Sequence, residues 1–334
     1  MTESGTAVAL PAASVPVPFA PEVRPAVEAA ASDAPLTRDS VLAMRGSMAT
    51  MFPPPSDVIG PRAVEAEERV IPGPAGAPDL EITVLRPRGL DPQARVPGLY
   101  NIHGGGMVVG HRYWETGRLV DLVERHGYVA VNVEYRLAPE DPYPAGVEDC
   151  YAGLEWMSAH AAELGVDAER IVVMGGSAGG GFSAAVALMA RDRRGPGIAG
   201  QLLLCPMVDN TNSTPSAHQY RSLGTWTREA NEVAWQCVLG DGLAFSEDAP
   251  AYAAPTRAAD LSGLPPAFIE VGSAELFRDE DVEYASRIWA TGGQAELHVW
   301  SGGCHGFDMY APDTELTRAA LASRDSWLER VLGQ

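Results

Sequence analysis

Two glycine-rich strings carry the chemistry this sequence could perform. Gly175-Gly176-Ser177-Ala178-Gly179 follows the apolar run Ile171-Val172-Val173-Met174 and precedes the small-residue segment Gly180 to Arg191. A serine on a sharp turn between strand and helix exposes its hydroxyl. Glycines must flank it because the two elements leave no room for Cβ atoms. The hydroxyl is a weak nucleophile at its own pKa. It needs a base, and the base needs an acid that orients it and stabilises the imidazolium. His103-Gly104-Gly105-Gly106, closing the apolar run Val96 to Ile102, supplies a loop able to turn N–H groups onto a carbonyl oxygen. The candidate oxyanion donors are the N–H groups of Gly104, Gly105 and Ala178. A phosphate cradle would need G-x-G-x-x-G spacing and a lysine, and the string has neither.

Seven histidines compete for the base. His305, in the glycine-bounded loop Gly302-Gly303-Cys304-His305-Gly306-Phe307, follows the last strand candidate and can reach the C-terminal edge of a sheet. His298 falls inside that strand and His103 inside the glycine loop. His111, His126, His160 and His218 read as surface or helix residues. For the acid, Glu275 lies just past the run Pro266 to Val271, where strand-terminal catalytic residues belong. Asp279 is the competing carboxylate. It and Asp281 lie on the following helix, where acidic charge near an N-terminus is ordinary. Met107, Trp226, Met44 and Met48 are candidates to line a substrate pocket, although apolar residues at helical spacing more often pack a core. Cys304, beside His305, reads as a packed thiol.

Positioning these residues requires a regular scaffold. Apolar runs recur at 64–71, 80–86, 96–102, 128–134, 170–174, 199–205, 266–272 and 295–300, giving eight strand candidates. Several are continuously apolar, as in strands buried on both faces. Helical patterns at 113–126, 146–164, 178–191, 279–291 and 313–332 alternate with them, which predicts an α/β fold with a mostly parallel sheet. Residues 1–35, rich in Ala and Pro, are expected to form a mobile or loosely docked arm. Residues 36–60 form an N-terminal cap segment, with a helix near 37–51 ended by Pro53 to Pro55. Residues 61–334 form the catalytic domain. The stretch from 206 to 265 is too long for one crossover, so an insertion at about 207–250 is expected, with a helix from Thr227 to Leu239.

Composition removes whole classes of function. The 334 residues carry 24 basic against 44 acidic side chains, a formal charge of 24 − 44 = −20, which repels nucleic acid and anionic membranes. No lysine is present, so the P-loop lysine, Schiff-base chemistry and a Ser-x-x-Lys nucleophile are all excluded. Cys150, Cys205, Cys237 and Cys304 form no C-x-x-C pair, which argues against a zinc ribbon or a dithiol redox centre. No 18-residue apolar run and no basic leader are seen, so a soluble, cytoplasmic protein is expected, with no metal and no cofactor.

With these strings in view, the sequence resembles the hormone-sensitive-lipase-like branch of the α/β-hydrolases, the bacterial family IV esterases, over about residues 65–330. The resemblance rests on His103 to Gly106, Tyr135-Arg136-Leu137-Ala138-Pro139-Glu140, Gly175 to Gly180, Cys205 to Asp209, Arg278-Asp279-Glu280 and His305-Gly306-Phe307. The order Ser177, Glu275, His305 matches the nucleophile, acid, base order of that fold. One departure stands out. The family usually carries Asp-Pro-Leu-Arg-Asp-Glu, and this chain has Glu275-Leu276-Phe277-Arg278-Asp279-Glu280. The resemblance implies an α/β-hydrolase fold with a helical cap made by the N-terminal segment and the insertion. It also implies a serine carboxylesterase acting on small esters with short to medium acyl chains, and a possible homodimer. Lactones, amides, thioesters or carbamates are the alternative substrates. A non-catalytic receptor, as in the plant gibberellin receptors, is a distant one, since those have lost the histidine that this chain keeps.

Overall fold

The computed structural model describes residues 15–30, 36–48 and 51–333. The strands are β1 (Val64–Ile71), β2 (Leu80–Pro87), β3 (Val96–Ile102), β4 (Val129–Val133), β5 (Val166–Gly176), β6 (Gly200–Leu204), β7 (Ala267–Gly272) and β8 (Ala295–Trp300). Before and among the first strands lie α1 (Arg24–Ala30), α2 (Arg38–Met48), α3 (Pro55–Ile59), α4 (Thr116–His126), α5 (Ala145–Ala159) and α6 (Ala161–Leu164). From the nucleophile motif onward come α7 (Ala178–Arg193), α8 (Pro215–Gln219), α9 (Arg228–Leu239), α10 (Arg278–Ala290), α11 (Phe307–Tyr310) and α12 (Glu315–Leu332).

All eight strands join one sheet in the order β1-β2-β4-β3-β5-β6-β7-β8. The β1/β2 and β2/β4 pairs are antiparallel and the others parallel, so the expected α/β-hydrolase sheet is borne out. Sequence patterning explains the layers. The runs in β4 and β6 are buried at every position, as central parallel strands require. β1 alternates buried and accessible residues because it is an edge with one wet face. Helix ends follow local chemistry: Thr227 caps α9 through Ala230 N–H and Thr314 caps α12 through Thr317 N–H. The helical pattern expected over 146–164 breaks at His160 into α5 and α6.

The sheet order places the site. The chain leaves β3 toward β4 on one side and leaves β5 toward β6 on the other, so a crevice opens at their C-terminal ends. Ile102 pairs with Gly175, which sets the two glycine strings side by side. α7 lies close under them because Gly179 has no side chain: a Cβ there would sit 1.9 Å from the Ile102 carbonyl oxygen.

The N-terminal arm differs from its expected looseness. Residues 15–30 are docked, with Ala20 N–H donating to the Gly302 carbonyl at 2.9 Å. Val23 and Val27 bury themselves against Cys304, Phe307, Ala311 and Ala320. Residues 1–14 and 31–35 of the arm, and 49–50 of the helix expected over 37–51, lie outside the described residues. Among those described, no helix is long and apolar enough to cross a membrane.

Candidate active site

Ser177 sits between β5 and α7 with φ 57° and ψ −122°, a conformation L-residues rarely adopt. Three backbone hydrogen bonds hold it there. Its N–H donates to the Leu204 carbonyl at 2.8 Å, and its carbonyl accepts from Met207 N–H at 2.9 Å and Gly181 N–H at 3.0 Å. The turn aims Oγ at His305 Nε2, 2.9 Å away. His305 Nδ1 lies 2.9 Å from Glu275 Oε2. A carboxylate oxygen can only accept here, so Nδ1 carries the proton and Nε2 offers its lone pair to the serine hydroxyl. Glu275 is held by the Phe277 N–H at 3.3 Å, and the Phe277 ring meets His305 edge-on. Thr225 Oγ1 donates to the His305 carbonyl at 2.5 Å.

Asp279, the competing carboxylate, is engaged elsewhere. It accepts from Ser216 N–H at 2.7 Å and pairs with Arg278, which ties the start of α10 to α8. The structure thus brings Ser177, His305 and Glu275 together and leaves Asp279 outside the group.

The glycine loop is fixed by His103, which is fully buried. Its Nδ1 lies 2.8 Å from the Gly104 carbonyl. A carbonyl only accepts, so Nδ1–H is the donor, and burial lowers the imidazole pKa to about 4, keeping the ring neutral. In a planar trans peptide the N–H points opposite to the C=O, so tethering the Gly104 carbonyl turns the Gly105 N–H the other way. Tyr135 donates to the His103 carbonyl at 2.9 Å and stacks on its ring, which braces the loop. Gly105 adopts φ 116°, where a Cβ would meet the Val109 carbonyl oxygen at 2.0 Å. Among the described residues, the N–H groups of Gly104, Gly105 and Ala178 donate to no protein acceptor.

Known proteins share this fold. A family described as alpha/beta hydrolase fold matches residues 99–309. The chain belongs to the α/β-hydrolase family. It is 35% identical to the carboxylesterase NlhH of Mycobacterium tuberculosis over 303 residues, covering 87% of this chain and 90% of that one. It is also 35% identical to the esterase LipI of the same organism, covering 76% and 79%. Among solved structures, a bacterial heroin esterase superposes with a TM-score of 0.86 at 32% identity, covering 94% of this chain and 98% of that one. An esterase of Pyrobaculum calidifontis gives 0.82 at 31%, covering 94% and 99%. The resemblance to hormone-sensitive-lipase-like esterases is borne out.

In this α/β-hydrolase, Ser177 and His305 open onto a cavity of about 990 Å³. Met44, Met48 and Trp226 line it, as the sequence suggests. Met107 does not. With φ 63° it turns into the core, 2% exposed, packed toward α7 at Gly181. The N-terminal segment lines the cavity, as a cap would, and a charged part of the wall carried no signal in the sequence. Pro16 to Phe19 and Val27 of the docked arm close one side, and Glu115, Arg118 and Asp308 form a charged end. Arg118 bridges Glu115 at 3.1 Å and Asp308 at 2.9 Å, and Arg324 joins Asp308 at 2.7 Å to Glu270 on β7. The two guanidiniums hold the Asp308 carboxyl well below the usual range despite its burial. Because Asp308 follows His305 by three residues, this network anchors the histidine loop to α12 and β7.

Among the described residues, one grouping of His, Cys and carboxylate atoms is tight enough for a cation: Cys205, Glu275 and His305, within 4.8 Å. Glu275 Oε2 and His305 Nδ1 are already bonded to each other, and burial pushes the Cys205 thiol well up, away from the thiolate a metal would need. Burial likewise pushes the Cys304 thiol up to about 12, which leaves it inert.

Proposed function

We propose that the protein is a serine carboxylic-ester hydrolase in which Ser177, His305 and Glu275 form the catalytic triad, with Gly104, Gly105 and Ala178 as the oxyanion hole. The observation that carries this is the unbroken relay from Ser177 Oγ to His305 Nε2 and from His305 Nδ1 to Glu275 Oε2, 2.9 Å at each step, beside three uncommitted N–H groups. Ser177 Oγ attacks the ester carbonyl carbon while its proton passes to His305 Nε2. The carbonyl oxygen becomes an oxyanion met by N–H dipoles already fixed in place, each worth about 3 kcal/mol of barrier. Glu275 stabilises the imidazolium. The tetrahedral intermediate collapses, His305 Nε2–H protonates the departing alkoxide, and an acyl-serine remains. Water, losing its proton to the same nitrogen, attacks the acyl carbon and frees the carboxylic acid.

No step calls on a metal or an organic cofactor, and every group in the relay comes from one chain, so a homodimer would not be needed to complete the site. Residues 15–30, α2 and the insertion bearing α8 and α9 act as the cap, and their apolar wall suits short to medium acyl chains. The four unpaired cysteines fit a reducing, cytoplasmic setting.

The test is hydrolysis of p-nitrophenyl acetate, butyrate, octanoate and palmitate, with an organophosphonate probe mapped by mass spectrometry. Turnover should peak at the shorter chains, and the probe should label Ser177. Retained turnover in Ser177→Ala, or labelling at another residue, would refute the assignment.

A further inference from the structure

The glycine loop hangs on one imidazole, and the far nitrogen of that ring faces a carboxyl oxygen that has no donor. This step rests on the esterase reading above, in which the Gly105 N–H belongs to the oxyanion hole. His103 Nδ1–H donates to the Gly104 carbonyl, 2.8 Å away, so the neutral ring keeps a bare lone pair at Nε2. Nε2 is buried and has no hydrogen-bond partner among the described residues. Glu134 Oε1, on the residue directly after β4, faces it at 3.7 Å, a close approach that is longer than a hydrogen bond. The ring is hemmed in: Tyr135 stacks on it with 4.2 Å between centroids, and a Cβ on Gly110 would lie 2.7 Å from Nδ1.

The two oxygens of Glu134 are used unequally. Oε2 accepts from the Arg112 N–H at 2.8 Å and from Arg112 Nη1 at 3.3 Å, and His111 Nε2 lies 3.4 Å from it. His111 Nδ1 accepts from the Tyr113 N–H at 3.1 Å, so its proton is on Nε2 and points at the same oxygen. Oε1 receives no protein donor among the described residues and meets the His103 lone pair instead. A carboxylate there would set a negative oxygen against that lone pair. A carboxylic acid fits both contacts, with Oε2 as the accepting carbonyl oxygen and Oε1 as the donating hydroxyl. The surrounding charges leave room for this. Arg112 also pairs with Glu68 at 3.0 Å and Glu81 at 2.8 Å, so one guanidinium serves three acidic side chains. Glu115 and Arg112 act on the His103 ring with opposite sign. Burial raises the Glu134 carboxyl above its usual range, against the pull of His111 and Arg112.

We infer that Glu134 is a positioning residue of the oxyanion hole: as the neutral acid it directs its Oε1 proton at His103 Nε2, which keeps the ring's own proton on Nδ1, the Gly104 carbonyl tethered and the Gly105 N–H turned to the substrate oxygen. Loss of the Oε1 proton to solvent reverses this. The carboxylate favours a proton on Nε2, and the single proton of the neutral ring moves there from Nδ1. Nδ1 then sets a lone pair against the Gly104 carbonyl oxygen, the tether is lost, and the Gly105 peptide can turn. Catalysis therefore needs His305 unprotonated and Glu134 protonated, so kcat rises with pH through the first group and falls through the second. Burial holds the Tyr135 hydroxyl well above its usual range, so it does not supply the falling limb.

The test is hydrolysis of ethyl butyrate followed by titration of the released acid from about pH 5 to about pH 10, with ¹⁵N NMR of the His103 ring, assigned by its loss in His103→Asn. Wild-type kcat should fall on the alkaline side with the loss of one proton, toward a level about 10²-fold lower, the scale of one oxyanion-hole donor. KM should change little, and activity should return at neutral pH. Over the same range the His103 signals should change from a ring protonated at Nδ1 to one protonated at Nε2. In Glu134→Gln the amide NH₂ can donate to Nε2 and does not titrate, so the falling limb should vanish and Nδ1 should stay protonated. A wild-type kcat that stays level to about pH 10, a ring protonated at Nε2 at neutral pH, or a limb that persists in Glu134→Gln would each overturn the assignment. The wild-type measurements decide it even if the variant does not fold. Turnover that depends on Ser177 tests the esterase reading separately, and the His103 tautomer reports on Glu134 even if no ester is turned over.

Discussion

Replacing Glu275 by Gln tests the least conventional member of the site. The substitution keeps the length of the side chain and removes its charge. Oε2 now accepts from His305 Nδ1–H at 2.9 Å; an amide can instead turn its NH₂ toward that nitrogen and draw the imidazole proton to Nε2. An Nε2–H cannot take the Ser177 proton. Loss of the orienting carboxylate and the wrong tautomer together cost about 10⁴-fold in kcat, roughly 5.4 kcal/mol at 1.36 kcal/mol per decade. Glu275 is 2% exposed and does not line the cavity, so KM should stay within about threefold of wild type. The assay is steady-state hydrolysis of p-nitrophenyl butyrate, with thermal unfolding as a control for folding. Asp279→Asn, which touches Ser216 and Arg278, is the comparison and should lose less than about tenfold. If Glu275→Gln stays within tenfold of wild type while Asp279→Asn collapses, the relay has been assigned to the wrong carboxylate.

Removing Arg324 should destabilise the fold by about 3–5 kcal/mol, because Asp308 and Glu270 would be left buried with their main counter-charge gone; chemical denaturation of Arg324→Ala reads this directly. Two buried carboxylates should move acid and neutral stability in opposite ways. Asp308 is held below its usual range, so its contribution is complete above an unfolded pKa of about 3.9 and falls away as pH drops below that, and Asp308→Asn should flatten this acid slope. Asp281 is pushed well above its usual range by burial and by its neighbours Glu280, Glu275 and Cys205, with neither oxygen accepting a hydrogen bond among the described residues. Its contribution is present below about 3.9 and lost as pH rises toward its folded value, so Asp281→Asn should be more stable than wild type at neutral pH, measured as the denaturation midpoint against pH. Trp226→Ala should open the apolar end beside Gly106 and move the best p-nitrophenyl ester toward longer acyl chains; an unchanged chain-length profile would remove Trp226 from the acyl wall.

What could be read in advance follows the range of the interactions involved. The central strands were legible because burial on both faces writes continuous apolar runs into them, and the turns bearing Ser177 and His305 were legible because each is glycine-bounded at a strand end. Position alone favours Glu275 over Asp279 as the candidate acid, because only the former lies in the loop leaving β7. The reason Asp279 is unavailable, its bond to Ser216 N–H, links residues 63 apart in sequence and leaves no local trace. Met107 shows the limit from the other side. Its apolar side chain made it a pocket candidate, yet with φ 63° it lies in the core, 2% exposed. The docked arm and the charged end of the cavity share this character. Pro-rich residues 15–30 look unstructured until Val23 and Val27 meet Cys304 and Phe307, and Glu115, Arg118, Asp308, Arg324 and Glu270 look like separate surface charges until the fold buries them together. The proposed triad residues stand in short turns at strand ends, whereas the charged residues of the cavity wall are brought together by contacts across the whole chain.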